Sequence, residues 1–209
     1  MSRNERLVCF DLGGVLIRIC RSWEEGCERA GIDPGRGWSP TGSIGRHTSI
    51  VQDYTIGAIG TDEFLQSLER ASDAVYSVEE FRRIHDAWTM DPYPGVVDLI
   101  NKLHQAGTPL ACLSNTNEAH WSKLVTQAPV TTLRYQHASH LIGRAKPDEE
   151  IFHWFVREVD VSPEQIVFFD DLADNVASAK RVGWDAVQVD HQGDTADQIE
   201  AALRRRGLM

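Results

Sequence analysis

The chain has 209 residues, 42% of them hydrophobic and 25% charged, which is close to the globular average and excludes disordered and low-complexity classes. At this length one core plus a smaller insert is expected. A formal net charge of −10 excludes a nucleic-acid binder that relies on a broad basic surface, and the only basic run, Arg204 to Arg206, suits the dipole at a helical C-terminus.

The polar start, Met1 to Arg6, leads into Leu7-Val8-Cys9-Phe10, an apolar run stopped by Asp11 and followed by Gly13-Gly14. This predicts a buried strand ending in a tight turn, and the break at Asp11 and the two glycines is not expected of a signal peptide. From about Ser22 to Trp88 the apolar residues recur at helical spacing. Thr61-Asp62-Glu63 opens one helix, and Ser77-Val78-Glu79-Glu80 forms a capping box ahead of Phe81, Ile84 and Trp88. Asp33 to Gly45, rich in Gly, Pro and Ser, reads as a loop. The region is therefore expected to be an all-helical insert.

From Pro92 helices and strands alternate. Helices are predicted over Gly95 to Gln105, Glu118 to Thr126, Pro147 to Val159 and Asn175 to Val182. Strands are predicted over Pro109 to Leu113, Thr131 to Tyr135, Ile166 to Phe169 and Ala186 to Val189. Continuous apolar strands alternating with helices mean an α/β fold: a Rossmann-like parallel sheet with helices on both faces, plus a small helical cap inserted after the first strand. Residues 1–19 and 90–209 are assigned to the core and 20–89 to the cap. No apolar run of membrane-spanning length exists, so no membrane span is expected. Cys9, Cys20, Cys27 and Cys112 form no C-x-x-C pair and have no histidine at zinc-ligand spacing. They read as reduced thiols of a cytoplasmic protein.

In an open parallel sheet, ligands bind beyond the C-terminal strand ends. Here those ends carry Asp11, Ser114-Asn115 and Asp170-Asp171, with Lys146 ahead of the helix that begins at Pro147. Each alone has a plainer reading: a helix cap for Asp11 or Ser114-Asn115, a turn for Asp170-Asp171, a solvated lysine for Lys146. Together, crowded carboxylates require a hard cation such as Mg²⁺, and the hydroxyl, amides and lysine suit a phosphoryl group beside it.

Four segments, Phe10-Asp11-Leu12-Gly13-Gly14-Val15-Leu16, Leu113-Ser114-Asn115-Thr116, Lys146-Pro147-Asp148 and Phe169-Asp170-Asp171-Leu172-Ala173-Asp174-Asn175, resemble the four motifs of the haloacid dehalogenase superfamily. The resemblance runs from about Leu7 to Val189 and includes a cap similar to the superfamily's small four-helix cap. The Asp-Leu-Gly-Gly-Val form is similar to the branch of sugar-phosphate phosphatases and the epoxide hydrolase phosphatase domain. It implies a Mg²⁺-dependent phosphatase acting on a small phosphate ester. Asp11 would be the nucleophile that forms an aspartyl-phosphate. The metal would be held by Asp11, the Gly13 carbonyl and Asp171, with Asp170 acting through an intervening water. Ser114 and Asn115 would bind phosphoryl oxygens, and Lys146 would neutralise Asp11 and the transferring group.

One position departs from the family's phosphatases, which usually carry a general acid two residues after the nucleophile. Here it is Gly13, which is also a candidate for a dihedral only glycine reaches. Asp174 and His120 are nearby substitutes, although each also fits a cap or surface role. The rivals are a metal-free 2-haloacid dehalogenase, for which an acidic pair at Asp170-Asp171 is unwelcome, and a catalytically weak binding or regulatory protein on the same fold. A receiver domain is disfavoured, because its acidic pair lies on the first strand. Substrate choice is expected to lie with the cap and with Arg18, Arg21, Trp23, Trp38 and Arg46. The sequence does not assign an oligomeric state.

Overall fold

The structure, a computed structural model, describes residues 6–38 and 46–209, with backbone only for 46–48. The chain enters through β1 (Leu7–Phe10) and the short β2 (Ile17–Ile19). It then forms four helices, α1 (Trp23–Ala30), α2 (Arg46–Thr55), α3 (Thr61–Ala71) and α4 (Val78–Ala87), and returns through β3 (Thr89–Pro92). The alternating half follows as α5 (Val96–Gln105), β4 (Leu110–Ser114), α6 (Glu118–Leu124), β5 (Tyr135–Ala138) and α7 (Ser139–Ile142). It ends with α8 (Glu149–Val159), β6 (Ile166–Asp170), α9 (Ala173–Arg181), β7 (Asp185–Gln188) and α10 (Thr195–Arg204).

Five strands form one parallel sheet in the order β5-β4-β1-β6-β7. The central strand is buried on both faces, as its unbroken apolar sequence requires. Successive side chains alternate between faces. Val8 and Phe10 join one core with Leu99 of α5 and Ile199 of α10, while Leu7 and Cys9 join a second with Phe152 and Phe155 of α8. All four cysteines are buried and unpaired. Phe10 pairs with Cys112 on one side and Phe169 on the other. That register brings the polar ends of β1, β4 and β6 to the same edge of the sheet.

The helical segment has its own core, in which Trp23, Tyr54, Phe64, Tyr76 and Phe81 converge. Its helices start where the capping residues fall. The Ser22 hydroxyl accepts from the Glu25 amide, and Ser77 with Glu80 forms the expected capping box. Trp38 packs edge-to-face on Trp23, at 5.4 Å between ring centroids, and on Phe81 at 5.5 Å. It is a loop anchor in the cap core. The rest of the expected loop, residues 39–45, and the Arg46 side chain lie outside the described residues. β2 and β3 pair antiparallel, Ile17 with Pro92 and Ile19 with Thr89, so the two connections between sheet and helices form one ribbon.

The strand expected over Thr131 to Tyr135 is displaced. Val130–Thr132 is a 3₁₀ turn, and the strand runs from Tyr135 to Ala138. Val130 and Leu133 are used as buried plugs below the sheet edge, and the Gln136 amide donates to both their carbonyls. Among the described residues no helix is long and apolar enough to cross a membrane.

Candidate active site

Asp11 leaves β1 with its N–H donating to the Phe169 carbonyl at 2.8 Å, and its Oδ1 accepts the Leu12 N–H at 2.7 Å. The backbone turns at Gly14, where φ is +82° and a Cβ would strike the Arg21 guanidinium and the Asp171 carboxylate. Asp170 ends β6, and Asp171 follows directly. Oxygens of Asp11, Asp170 and Asp171 lie within 4.8 Å of one another, and all three residues are buried.

Lys146 reaches this cluster from the loop before α8. Its Nζ lies 3.1 Å from Asp11 Oδ1 and donates to Asp170 Oδ2 at 2.7 Å, with the side chain fully buried. Asn175 Nδ2 donates to both oxygens of Asp170 at 3.0 Å, and the Leu172 N–H donates to Oδ1 at 2.9 Å. Asp170 is thus committed to holding Lys146. Asn175 was absent from the expected site, because one asparagine in a helix's first turn carries no functional signal of its own.

Ser114, at the end of β4, is buried and lines the cavity beside the cluster. The Asn115 side chain is turned to the Lys146 backbone. Its Nδ2 donates to the Lys146 carbonyl at 2.7 Å, and its Oδ1 accepts the Lys146 N–H at 2.8 Å, so the carboxamide clamps the lysine's backbone. Arg21 is the second residue drawn in. Its Nη1 lies 2.8 Å from Asp171 Oδ2, while His191 Nδ1 stands 3.8 Å from the same oxygen. Arg18 instead meets the exposed Asp91.

Burial pushes the Asp11 carboxyl up to about 7; Asp170 and Asp171 push the same way, and Lys146 opposes them. Burial works against the Lys146 ammonium, yet Asp11 and Asp170 outweigh it and raise its pKa. Three carboxylates face two cationic side chains, one of which, Arg21, is anchored at the mouth of the cap. The all-oxygen, buried, electron-rich set therefore fits a hard divalent cation.

Neither substitute acid is placed to serve the leaving group. Asp174 is exposed in the first turn of α9. His120 is buried, with Nε2 2.8 Å from the His85 carbonyl and Nδ1 3.2 Å from Asn117 Nδ2. Nε2 thus donates and Nδ1 accepts, so neither nitrogen is available to a leaving group. A cavity of about 420 Å³ opens between cap and core, with Leu12, Gly13 and Ser114 forming its floor.

The sequence model of the haloacid dehalogenase-like hydrolases matches residues 5–183. The chain belongs to this family. It is 24% identical to D-ribitol-5-phosphate phosphatase of Bacteroides thetaiotaomicron over 94% of this chain and 97% of that one. It is 22% identical to an (S)-2-haloacid dehalogenase of Pseudomonas putida over 95% and 90%. It also spans about a fifth (19%) of the mouse acyl-CoA dehydrogenase family member 10, at 25% identity over 96% of this chain. Two solved relatives share the haloacid dehalogenase-like fold. A predicted HAD-like family hydrolase from Porphyromonas gingivalis superposes with a TM-score of 0.78 at 26% identity, over 96% of this chain and 98% of the other. A HAD family enzyme from B. thetaiotaomicron, in complex with magnesium and inorganic phosphate, gives 0.72 at 22%, over 91% and 96%. The chain is thus a haloacid dehalogenase-like hydrolase with both phosphatase and dehalogenase relatives.

Proposed function

We propose that this hydrolase is a Mg²⁺-dependent phosphatase of small phosphate monoesters. The observation that carries the reading is the buried cluster of Asp11, Asp170 and Asp171 around one buried lysine. An aspartate nucleophile that displaces halide needs no further anions beside it. Three carboxylates in one buried site are accounted for by a bound divalent cation, which also lets a dianionic substrate approach.

Asp11, the Gly13 carbonyl and Asp171 would hold magnesium, with Asp170 behind them. When bound, the ion supplies positive charge against the phosphoryl oxygens. An Asp11 oxygen attacks phosphorus, the bond from phosphorus to the ester oxygen breaks, and the departing oxygen takes its proton from solvent. Water then attacks the aspartyl-phosphate, releasing inorganic phosphate and restoring the carboxylate. Lys146 stays charged throughout, because its two carboxylate partners stabilise the ammonium. It faces Asp11 and the transferring group, while Asp170 and Asn115 fix where it stands. The Ser114 hydroxyl is the donor left for a phosphoryl oxygen.

The test is phosphate release from a panel of monoesters, with and without Mg²⁺ and with Asp11→Asn as the control. Release that is lost in chelator and in the variant is expected. Chloride release from 2-chloropropionate without metal is the result that installs the dehalogenase instead.

A further inference from the structure

The cavity over the site differs in character from its floor. Between cap and core it is walled by Ile17, Ile19, Trp23, Phe64, Ile84 and Trp88, and among the described residues no aspartate or glutamate lines it. Many of its polar side chains already bond inside the protein. The Ser22 hydroxyl caps α1, and the Thr55 hydroxyl donates to the Val51 carbonyl. The Tyr54 hydroxyl bonds Thr61, and both ends of Asn115 are on Lys146. Asn117 holds His120, and Arg21 is paired with Asp171. His85 adds one buried nitrogen, Nε2, without a hydrogen-bond partner. A polyol placed here would lose its water and meet few polar partners, chiefly Thr89, Thr116 and the outer edge of Arg21, so that most of its hydroxyls would be buried at a cost. An apolar body would be favoured by the same walls.

We infer that the substrate carries its phosphoryl group on an uncharged, apolar body, a medium-length alkyl chain or an aromatic ring, with room for one polar atom near His85. This rests on the phosphatase reading for the phosphoryl group and on the cavity for the body. It sets the protein apart in ligand class from its polyol-phosphate relative. Ile19, which lies over Gly13 and lines the cavity, is the residue placed to sense the first carbons of that body.

The experiment separates the two readings by measuring binding and turnover on the full chain with Mg²⁺. Titration calorimetry with hexylphosphonate and methylphosphonate should show the longer compound binding about 100-fold more tightly, with a negative heat-capacity change. Hexyl phosphate should exceed ribitol 5-phosphate in kcat/KM by a similar factor. Both leave as alkoxides, so leaving-group acidity does not decide the comparison. Ile19→Thr should cut that advantage about tenfold; a misfolded variant changes nothing, because the wild-type ratios decide. Equal phosphonate affinities, or a preference for ribitol 5-phosphate, overturn the inference. Tight hexylphosphonate binding without hydrolysis of any ester removes the phosphatase reading and leaves the cavity's ligand class standing.

Discussion

Gly13 offers a backbone carbonyl and no side chain, and its geometry decides whether that lack can be repaired. Its φ is not in the left-handed region, so the candidate glycine-only dihedral is not found there. An added Cβ would press on the Ile19 side chain, 3.1 Å from its terminal Cδ1 and 3.4 Å from Cγ2. Gly14 is the position that demands glycine. Gly13→Asp should therefore fold and speed turnover of alkyl phosphates by about 100-fold, the lower end of general acid catalysis, with little change for aryl phosphates. Unchanged alkyl rates in the folded variant, beside a wild type indifferent to leaving-group pKa, would mean that another acid is present. Asp11 makes a second prediction, on stability without metal. Its folded pKa of about 7 stands above the unfolded carboxylate value of 3.8, so folding favours the protonated form. Metal-free protein should lose stability as pH rises from about 4 to 7, on the order of 4 kcal/mol, with the full penalty present above pH 7. Denaturation midpoints in chelator at pH 5 and pH 8 measure this. Asp11→Asn should flatten the difference, and magnesium should oppose it.

Between elements, the cap meets the core through a pair of stacked imidazoles. His85 on α4 and His120 on α6 lie 3.9 Å apart with planes within 10°, tied by the bond from His120 Nε2 to the His85 carbonyl. Burial lowers the pKa of both; His120, Lys123 and Arg82 lower that of His85 further, while the bond to the His85 carbonyl partly opposes the shift in His120. A depressed histidine pKa stabilises the fold above pH 6.5, and the contribution is lost as pH falls. Amide exchange at the end of α4 and the start of α6 should therefore rise below about pH 6, ahead of global unfolding. His85→Phe, which keeps a flat apolar ring, should blunt the effect; an unchanged pH response would count against it. Such pairings are invisible in a sequence, because the partners come from separate elements. β1, β4 and β6 were legible because each is an apolar run stopped by a polar residue, and their ends located Asp11, Ser114 and Asp170. Arg21 on Asp171 and Asn115 on the Lys146 backbone were not, since long-range contacts leave no spacing to read. β5 was misplaced because its Tyr-Gln-His-Ala sequence is half-buried and lacks an apolar alternation, whereas Thr131 to Tyr135 offers two β-branched residues followed by Leu133 and Tyr135 on alternate positions. The ribbon of β2 and β3 is too short to show a period at all.

Across the whole molecule, Asp185 at the head of β7 is clasped by Arg6 at 2.6 Å and by Arg206 at 2.7 and 2.8 Å. Arg206 thus does more than complement a helix dipole: it fastens the segment after α10 to the sheet edge, beside the approach to β1. The Arg206 hydrogen bonds, helped by Arg6, hold the Asp185 carboxyl down at about 2. Asp185→Asn should cost about 1 kcal/mol at pH 7, given partial exposure, and lower Tm by roughly 2–4 °C. A lowered carboxyl pKa stabilises above the unfolded value and is lost as pH falls, so variant and wild type should converge towards pH 2 in calorimetric scans. The sheet order also bears on how the chain assembles in time. β1 lies in the middle, yet Val8 must wait for Leu110 and Leu7 for Ile166. The cap, whose aromatic core draws only on residues between Trp23 and Trp88, closes over much shorter stretches of chain. Leu7-Val8-Cys9-Phe10 is therefore synthesised early and satisfied late, an apolar segment without neighbours while the cap is already complete. The nucleophile is written near the start of the chain, and its position is among the last things folding fixes.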